Sequence, residues 1–416
     1  MRNPWDTLQK ILNHPEPPGY RRTVPRPRPK LDPFLPVIHQ ILEGDKKVPR
    51  KQRHTTRRIF ERLRDEYGYT GGKTVVKEAV SAWRRTRAEV FVPLAHRPGF
   101  AQVDFGQAEV ISSGMVAKGR HLREFEAALA EHLGVKHAIA VSSCTTGLML
   151  AYKCLGLQGD VVIPSFTFMA TASSLVWAGL RPVFGDVDAQ TTNLDPAAAE
   201  AAITPETSAI VVVHNFGNPA DIDAFRAIAD RHGLKLIFDA AHGFGTLYRG
   251  APVGAQGHAQ VFSMSPTKLL IAGEGGLITT NDDETAEQLR FGREYGNSGN
   301  YDSAFAGFNA RMPEFNALLG LKGLRGLEAS ARRRNEVAAL YREELGCLSG
   351  LTFQEVRPGN RSSFKDFSIV VDPEAFGLTC DELAAALGAE NIDTRKYYDP
   401  PVHRQTAYRR YADGRP

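Results

Sequence analysis

The chain has 416 residues, 42% of them hydrophobic, with 51 Lys and Arg against 47 Asp and Glu, a formal net charge of +4. That length exceeds one ordinary domain, and the apolar content is sufficient for more than one core. The four cysteines, Cys144, Cys154, Cys347 and Cys380, show neither CxxC spacing nor the density of a disulfide scaffold. No apolar stretch reaches the roughly 20 residues that span a bilayer, and MRNPWDTLQKIL lacks a signal-peptide core. A cytoplasmic protein without structural zinc is expected.

The small net charge conceals a division: residues 1–112 hold 22 basic and 12 acidic side chains, the remainder 29 and 35. The basic part is the candidate for touching nucleic acid. Its first 36 residues contain nine prolines, including the run RRTVPRPRPK, so residues 1–50 read as an extended arm or linker. Over residues 51–112, HTTRRIFERLRDEYGYTGG places Ile59, Leu63 and Tyr67 on one helical face, and Gly71-Gly72 ends the segment. A second helix follows in TVVKEAVSAWRRTRAE, with Val76, Val80 and Trp83 inward and Lys77, Arg84, Arg85 and Arg87 outward. Two short helices with a glycine turn, the second basic, have the outline of a helix-turn-helix, although a basic face is also an ordinary solvated face.

Between about residues 30 and 110, KLDPFLPVIHQIL, GYTGGKTVVKEAVSAWRRTRAEVF and PGFAQVDFGQAEV resemble the IstA-type insertion-sequence transposases. The resemblance implies that Asp104 of QVDFG is the first carboxylate of an RNase H-like metal site. No further carboxylates follow in that context, and two-metal phosphodiester chemistry cannot run on one Asp. A transposase fragment is expected, able to bind DNA weakly through residues 51–90 and unable to cut it.

From Ser113 the texture becomes apolar strands alternating with amphipathic helices. HLREFEAALAEHLG is helical, HAIAVSS a buried strand, TGLMLAYKCLGL helical from near Thr146, and DVVIPS again a strand. AIVVVHNF and LKLIFDAA continue the series around the helix DIDAFRAIADRHG. Such a pattern predicts an α/β fold with a mostly parallel sheet covered on both faces, and ligands beyond the carboxyl ends of its strands. We assign residues 113–330 to a large domain and 331–416 to a small carboxy-terminal one.

Chemistry-bearing residues fall at those strand ends. SSCTTG, residues 142–147, lies where a strand meets a helix start, whose free N–H groups suit a phosphate; taken alone, such hydroxyls are more often plain N-caps. Asp239 ends the strand LKLIF and could serve a metal, a structural contact or a pyridine nitrogen, and by itself the structural reading is favoured. Lys268, in VFSMSPTKLLIAGEGGLITT, stands between a strand and a glycine-rich stretch, and Phe168 of SFTFMAT lies just past another strand end. Pyridoxal 5′-phosphate needs an amine, an acid for its ring nitrogen and a helix start for its phosphate, and these three elements supply that set.

EFEAALAEHLGVKHAIAVSSCTTGL, GDVVIPSFTFMATASSLVWAGLRPVFGDVD, DAAHGFG, SMSPTKLLIAGEGGLITTND, GFNARMPEFNALLGL and RKYYDPPVH together resemble the DegT/DnrJ/StrS sugar aminotransferases, of the aspartate-aminotransferase fold (pyridoxal-phosphate fold type I). The resemblance implies that Lys268 is the Schiff-base lysine and Asp239 the partner of the ring nitrogen. It implies that Cys144, Thr145 and Ser263 bind the phosphate, that Phe168 covers the ring, and that His242 lies beside the cofactor. Asn309 of GFNAR would reach the phosphate from the neighbouring subunit of a homodimer. The implied reaction moves an amino group from an amino acid, glutamate, to a keto group on a nucleotide-linked sugar. The family arm before GMVAKG and its final helix after YRRYADGRP are missing, so an incomplete small domain and a less stable dimer are expected. The family's H-aliphatic-aromatic-G-Q-P motif reads HNFGNP at residues 214–219. A DNA-binding regulator with an aminotransferase-like domain, and an inactive fusion, are the alternative readings.

Overall fold

The computed structural model describes residues 29–45, 54–87, 118–300 and 302–412, and the chain divides into two compact units, 1–99 and 100–416. Asp104, and the side chains of Arg84, Arg85 and Arg87 read as a basic face, lie outside the described residues.

In the first unit a 3-10 turn, Asp32–Phe34, leads into α1 (Leu35–Asp45), followed by α2 (Thr56–Tyr67) and α3 (Lys73–Arg87). The side chain of Thr55 accepts the N–H of Arg58 to open α2, and Gly68, at φ 74°, closes it in the left-handed conformation. Leu31, Ile38, Leu42, Ile59, Leu63, Val76 and Val80 are buried together. This departs from the reading of residues 1–50 as an arm: Leu35, Ile38 and Leu42 have helical spacing, and Pro36 sits in the first turn, where a missing N–H costs nothing. Tyr67, expected inward, is 45% exposed, and Tyr69 at 2% takes the core position. The left-handed Gly68 redirects the chain between them, setting Tyr69 edge-on against Phe34 and Phe60.

The second unit is built on strands β1 (His137–Val141), β2 (Asp160–Pro164), β3 (Arg181–Gly185), β4 (Thr207–Val213) and β5 (Lys235–Ala240). A short pair, β6 (Leu247–Tyr248) and β7 (Ala251–Pro252), precedes β8 (Ala259–Ser263) and β9 (Gly276–Thr280). Seven of these form one sheet in the order β1-β9-β8-β5-β4-β2-β3. β9 runs antiparallel to β1 and β8; the other pairings are parallel.

The period of two along β4 shows why the sheet is covered twice. Ile210 and Val212 join a core with Phe125 and Phe225, whereas Ala209 and Val211 join the opposite core with Leu148 and Leu175. The flanking helices are α4 (Arg120–Leu133), α5 (Cys144–Cys154), α6 (Ala170–Trp177), α7 (Pro196–Ala201), α8 (Ile222–His232), α9 (Asp283–Gly292), α10 (Glu314–Leu324) and α11 (Leu327–Leu345). α4 opens on an unusual cap: the buried carboxylate of Glu314, distant in sequence, accepts the N–H groups of Gly119, His121 and Leu122 at 2.7, 2.9 and 3.2 Å. Position 330, the expected domain boundary, falls inside α11. Beyond it come β10 (Leu351–Phe353), β11 (Ile369–Val371), α12 (Pro373–Phe376) and α13 (Cys380–Ala389). Among the described residues no helix is long and apolar enough to cross a membrane.

Candidate active site

The carboxyl ends of β1, β2, β4, β5 and β8 open onto one cavity of about 380 Å³, lined by Cys144, Thr145, Phe168, Asp239, His242, Ser263 and Lys268 among others. Larger open clefts, near Asp160 with Arg181 and near Lys235 with His258, lie toward the other ends of these parallel strands. The Asp160 carboxylate is already held by Arg181 and Thr204, so the chemistry concentrates in the smaller cavity.

The amino end of α5 forms one wall. Ser143 is its N-cap and accepts the N–H of Thr146 at 3.1 Å, so the helix begins at Cys144, earlier than the position near Thr146 expected from sequence. The site lies close to β9 because residue 276 is glycine: a Cβ there would stand 2.5 Å from the carbonyl carbon of Ser143 and 2.7 Å from the nitrogen of Cys144. The half-buried Cys144 thiol points to the carbonyl of Val261, and burial, followed by the charge of Asp239, pushes its pKa well up. It is a protonated wall group and not a thiolate nucleophile.

Asp239 is buried at the end of β5, between Val213 of β4 and Val261 of β8. Its carboxylate accepts the Thr171 hydroxyl at 2.7 Å and the Ala241 N–H at 3.1 Å. Burial raises its pKa against the opposing pull of those bonds and of Lys268. Lys268 follows β8 in a turn closed by its own N–H to Ser265 O at 3.0 Å. Burial lowers its pKa, and the nearby ammonium of Lys365 lowers it further, which enlarges the fraction of free, nucleophilic amine.

His242 has a buried Nδ1 without a hydrogen-bond partner among the described residues, and burial with the charges of Lys268 and Lys365 holds its pKa well below normal. Ser263 is buried at the end of β8, and Phe168 is 53% exposed, its ring free to cover a flat ligand. Asn309 is not in this cavity. It is exposed, bridges to Glu294 and accepts from Arg311 Nε at 3.0 Å.

Sequence reasoning missed Thr171, Lys365, Asp366, Arg395, Tyr397 and Tyr398, of which all but Thr171 line the cavity. Thr171 closes SFTFMAT, and RKYYDPPVH holds Arg395 and both tyrosines, so those segments carried a signal. Lys365 and Asp366, in an unremarked stretch, reach the cavity through a segment held by Ser363 N to Gly217 O at 3.1 Å and Lys365 N to Phe216 O at 2.9 Å.

The residues present fit pyridoxal phosphate: one cavity is lined by an amine of lowered basicity, a carboxylate, a helix start and a histidine whose buried Nδ1 has no hydrogen-bond partner among the described residues.

Residues 106–416 match the family described as DegT/DnrJ/EryC1/StrS aminotransferases. The chain is similar to the spore coat polysaccharide biosynthesis protein SpsC of Bacillus subtilis (strain 168), 38% identical over 317 residues, covering 73% of this chain and 81% of SpsC. It is 39% identical over 287 residues to the GDP-perosamine synthase of Caulobacter vibrioides, covering 68% and 77%. Among solved structures it resembles DesI, crystallised in the presence of its TDP-sugar product, with TM-score 0.70 and 38% identity, covering 74% of this chain and 78% of that one.

Proposed function

Because the chain belongs to the DegT/DnrJ/EryC1/StrS aminotransferase family, we propose that it transfers the amino group of an amino acid, glutamate, to a keto group on a nucleotide-linked sugar. The observation that carries this reading is the convergence of Lys268, Asp239 and the start of α5 on one cavity. Pyridoxal 5′-phosphate, the proposed cofactor, supplies an aldehyde that condenses with amines and a ring that delocalises the electrons left when a Cα proton departs. Lys268 anchors it and, once released, moves the proton at Cα. Asp239 holds the ring nitrogen protonated, and a cationic partner there offsets the cost of burying this carboxylate. The N–H groups at Cys144 and Thr145, with Ser263, take the phosphate, Phe168 covers the ring, and His242 offers its free nitrogen. In a homodimer, Asn309 would serve the cavity of the other subunit, which accounts for its exposed place away from its own. The four cysteines are free, in keeping with a cytoplasmic enzyme.

The test is spectroscopic. L-glutamate should bleach the visible band of the loaded chain and a keto sugar should restore it. A band indifferent to both would refute the reading.

The amino-terminal unit we read as a transposase remnant with weak DNA affinity. The resemblance and the excess of basic residues support this; mobility shifts that weaken with salt would test it, and no shift even at low salt would leave its charge merely solubilising.

A further inference from the structure

Tyr397 and Tyr398 both line the cavity, and neither hydroxyl has a hydrogen-bond partner among the described residues. A phenol hydroxyl without a protein partner, on a residue that lines the cavity, is available to a ligand oxygen. Tyr398 is the more constrained of the two. Its ring lies nearly parallel to that of Phe216, 11° apart with centroids at 5.8 Å, and Phe166 meets it edge-on at 5.0 Å. Phe216 also lies parallel to His242, 9° apart at 6.5 Å, so it stands against both cavity groups.

Phe216 is the aromatic residue of HNFGNP, the motif that departs from its usual form. It is 1% exposed and adopts φ 55°, ψ 13°, the left-handed region that a bulky side chain rarely occupies. The surroundings impose this. Asn215 N–H donates to Asn193 Oδ1 at 2.9 Å, Gln354 Nε2 donates to Asn215 O at 3.1 Å, and Asn218 Nδ2 donates to Glu355 O at 2.7 Å. Gly217 O accepts from Thr246 Oγ1 at 2.7 Å, and a Cβ on Gly217 would collide with Ser363 Oγ at 1.9 Å. The turn is thus clamped between the loop carrying Asn193 and the segment carrying Gln354 and Ser363, and it delivers the ring of Phe216 to a fixed place.

We infer that Tyr398 is a substrate-contacting residue whose hydroxyl donates a hydrogen bond to an oxygen of the sugar, and that Phe216 is the positioning residue that aims it. The inference rests on the proposed function and adds to it a residue that discriminates the sugar from the amino donor. A sugar ring is dense in acceptor oxygens, whereas the needs of the cofactor are met by Lys268, Asp239 and the start of α5 without Tyr398. Burial, with the negative charge of Asp366 next, pushes the phenol pKa upward, so the hydroxyl keeps its proton and acts as a donor.

The test uses the full chain loaded with pyridoxal phosphate and follows bleaching of the visible band by L-glutamate and, separately, by two nucleotide-linked amino sugars, GDP-perosamine and dTDP-3-amino-3,4,6-trideoxy-α-D-glucose. Tyr398→Phe should slow bleaching by the amino sugar about tenfold, the loss of one hydrogen bond, while bleaching by L-glutamate and the pH titration of the band stay as in wild type. Phe216→Leu should show the same selective loss, and Phe216→Tyr, which keeps a stacking ring, should restore it. Equal sugar rates in Tyr398→Phe and wild type would overturn the inference. A shifted pH titration would overturn it too, by putting the hydroxyl on the cofactor. Bleaching of the wild type by L-glutamate but by neither sugar would withdraw the sugar reading and this inference with it; no response to any of the three would sink the proposed function itself.

Discussion

Thr171 and Asp239 meet through a 2.7 Å hydrogen bond between two buried side chains, one in the first turn of α6 and the other at the end of β5. The hydroxyl fixes one carboxylate oxygen while the Ala241 N–H fixes the other, so both oxygens of the acid are held at the cavity wall. Thr171→Val removes one of the two anchors. It should lower turnover about tenfold without loss of cofactor, as measured by steady-state rates beside the visible spectrum.

Asp239→Asn separates charge from shape. Turnover should fall by about a hundredfold or more because the ring nitrogen loses its anionic partner. Stability of the cofactor-free chain should move the other way. The folded pKa of Asp239 is raised, chiefly by burial, so its favourable contribution is complete below the ordinary carboxylate pKa and is lost as pH rises through the folded value. At neutral pH the Asn variant should therefore melt higher than wild type, with the gap closing in acid. Thermal scans at the two pH values check this.

His214 predicts the acid limb. Burial pushes its pKa down to about 3 from 6.5, while Ala220 N–H occupies Nδ1. A depressed folded pKa means that its contribution is complete above pH 6.5 and is lost as pH falls toward about 3. Each pH unit in that window should cost up to about 1.4 kcal/mol through this one group. Denaturant titrations at pH 7 and pH 5 should show a shallower loss in His214→Gln.

Glu314 caps α4 from a distant helix with three N–H contacts. Glu314→Ala strands those donors and should cost about 2–4 kcal/mol; Glu314→Gln, which keeps an acceptor, should cost less. Chemical denaturation provides the measurement.

What the sequence disclosed followed the range of the interactions. Lys268, Asp239, Phe168 and the SSCTTG turn sit beside strands whose apolar runs are visible locally, and a parallel sheet gathers the ends of such strands at one edge. α1 was hidden by the composition around it, since a Pro-rich stretch masks three apolar residues at helical spacing. Tyr67 and Tyr69 exchanged places because one left-handed glycine resets a periodicity that sequence alone extrapolates. Lys365 and Asp366 could not be found this way: their approach depends on contacts of Ser363 and Lys365 with a turn more than a hundred residues earlier, and no local pattern encodes that meeting. The left-handed backbone of Phe216 was equally invisible, because it is imposed by Asn193, Gln354 and Ser363 from outside the motif.

The central claim is that Lys268 carries the cofactor, and it is tested most directly by borohydride reduction of the loaded chain followed by peptide mapping. The account predicts a single pyridoxyl-modified peptide containing Lys268, and loss of both the label and the visible band in Lys268→Ala. A label on Lys365, the other lysine in the cavity, or on any lysine outside it, would contradict the account.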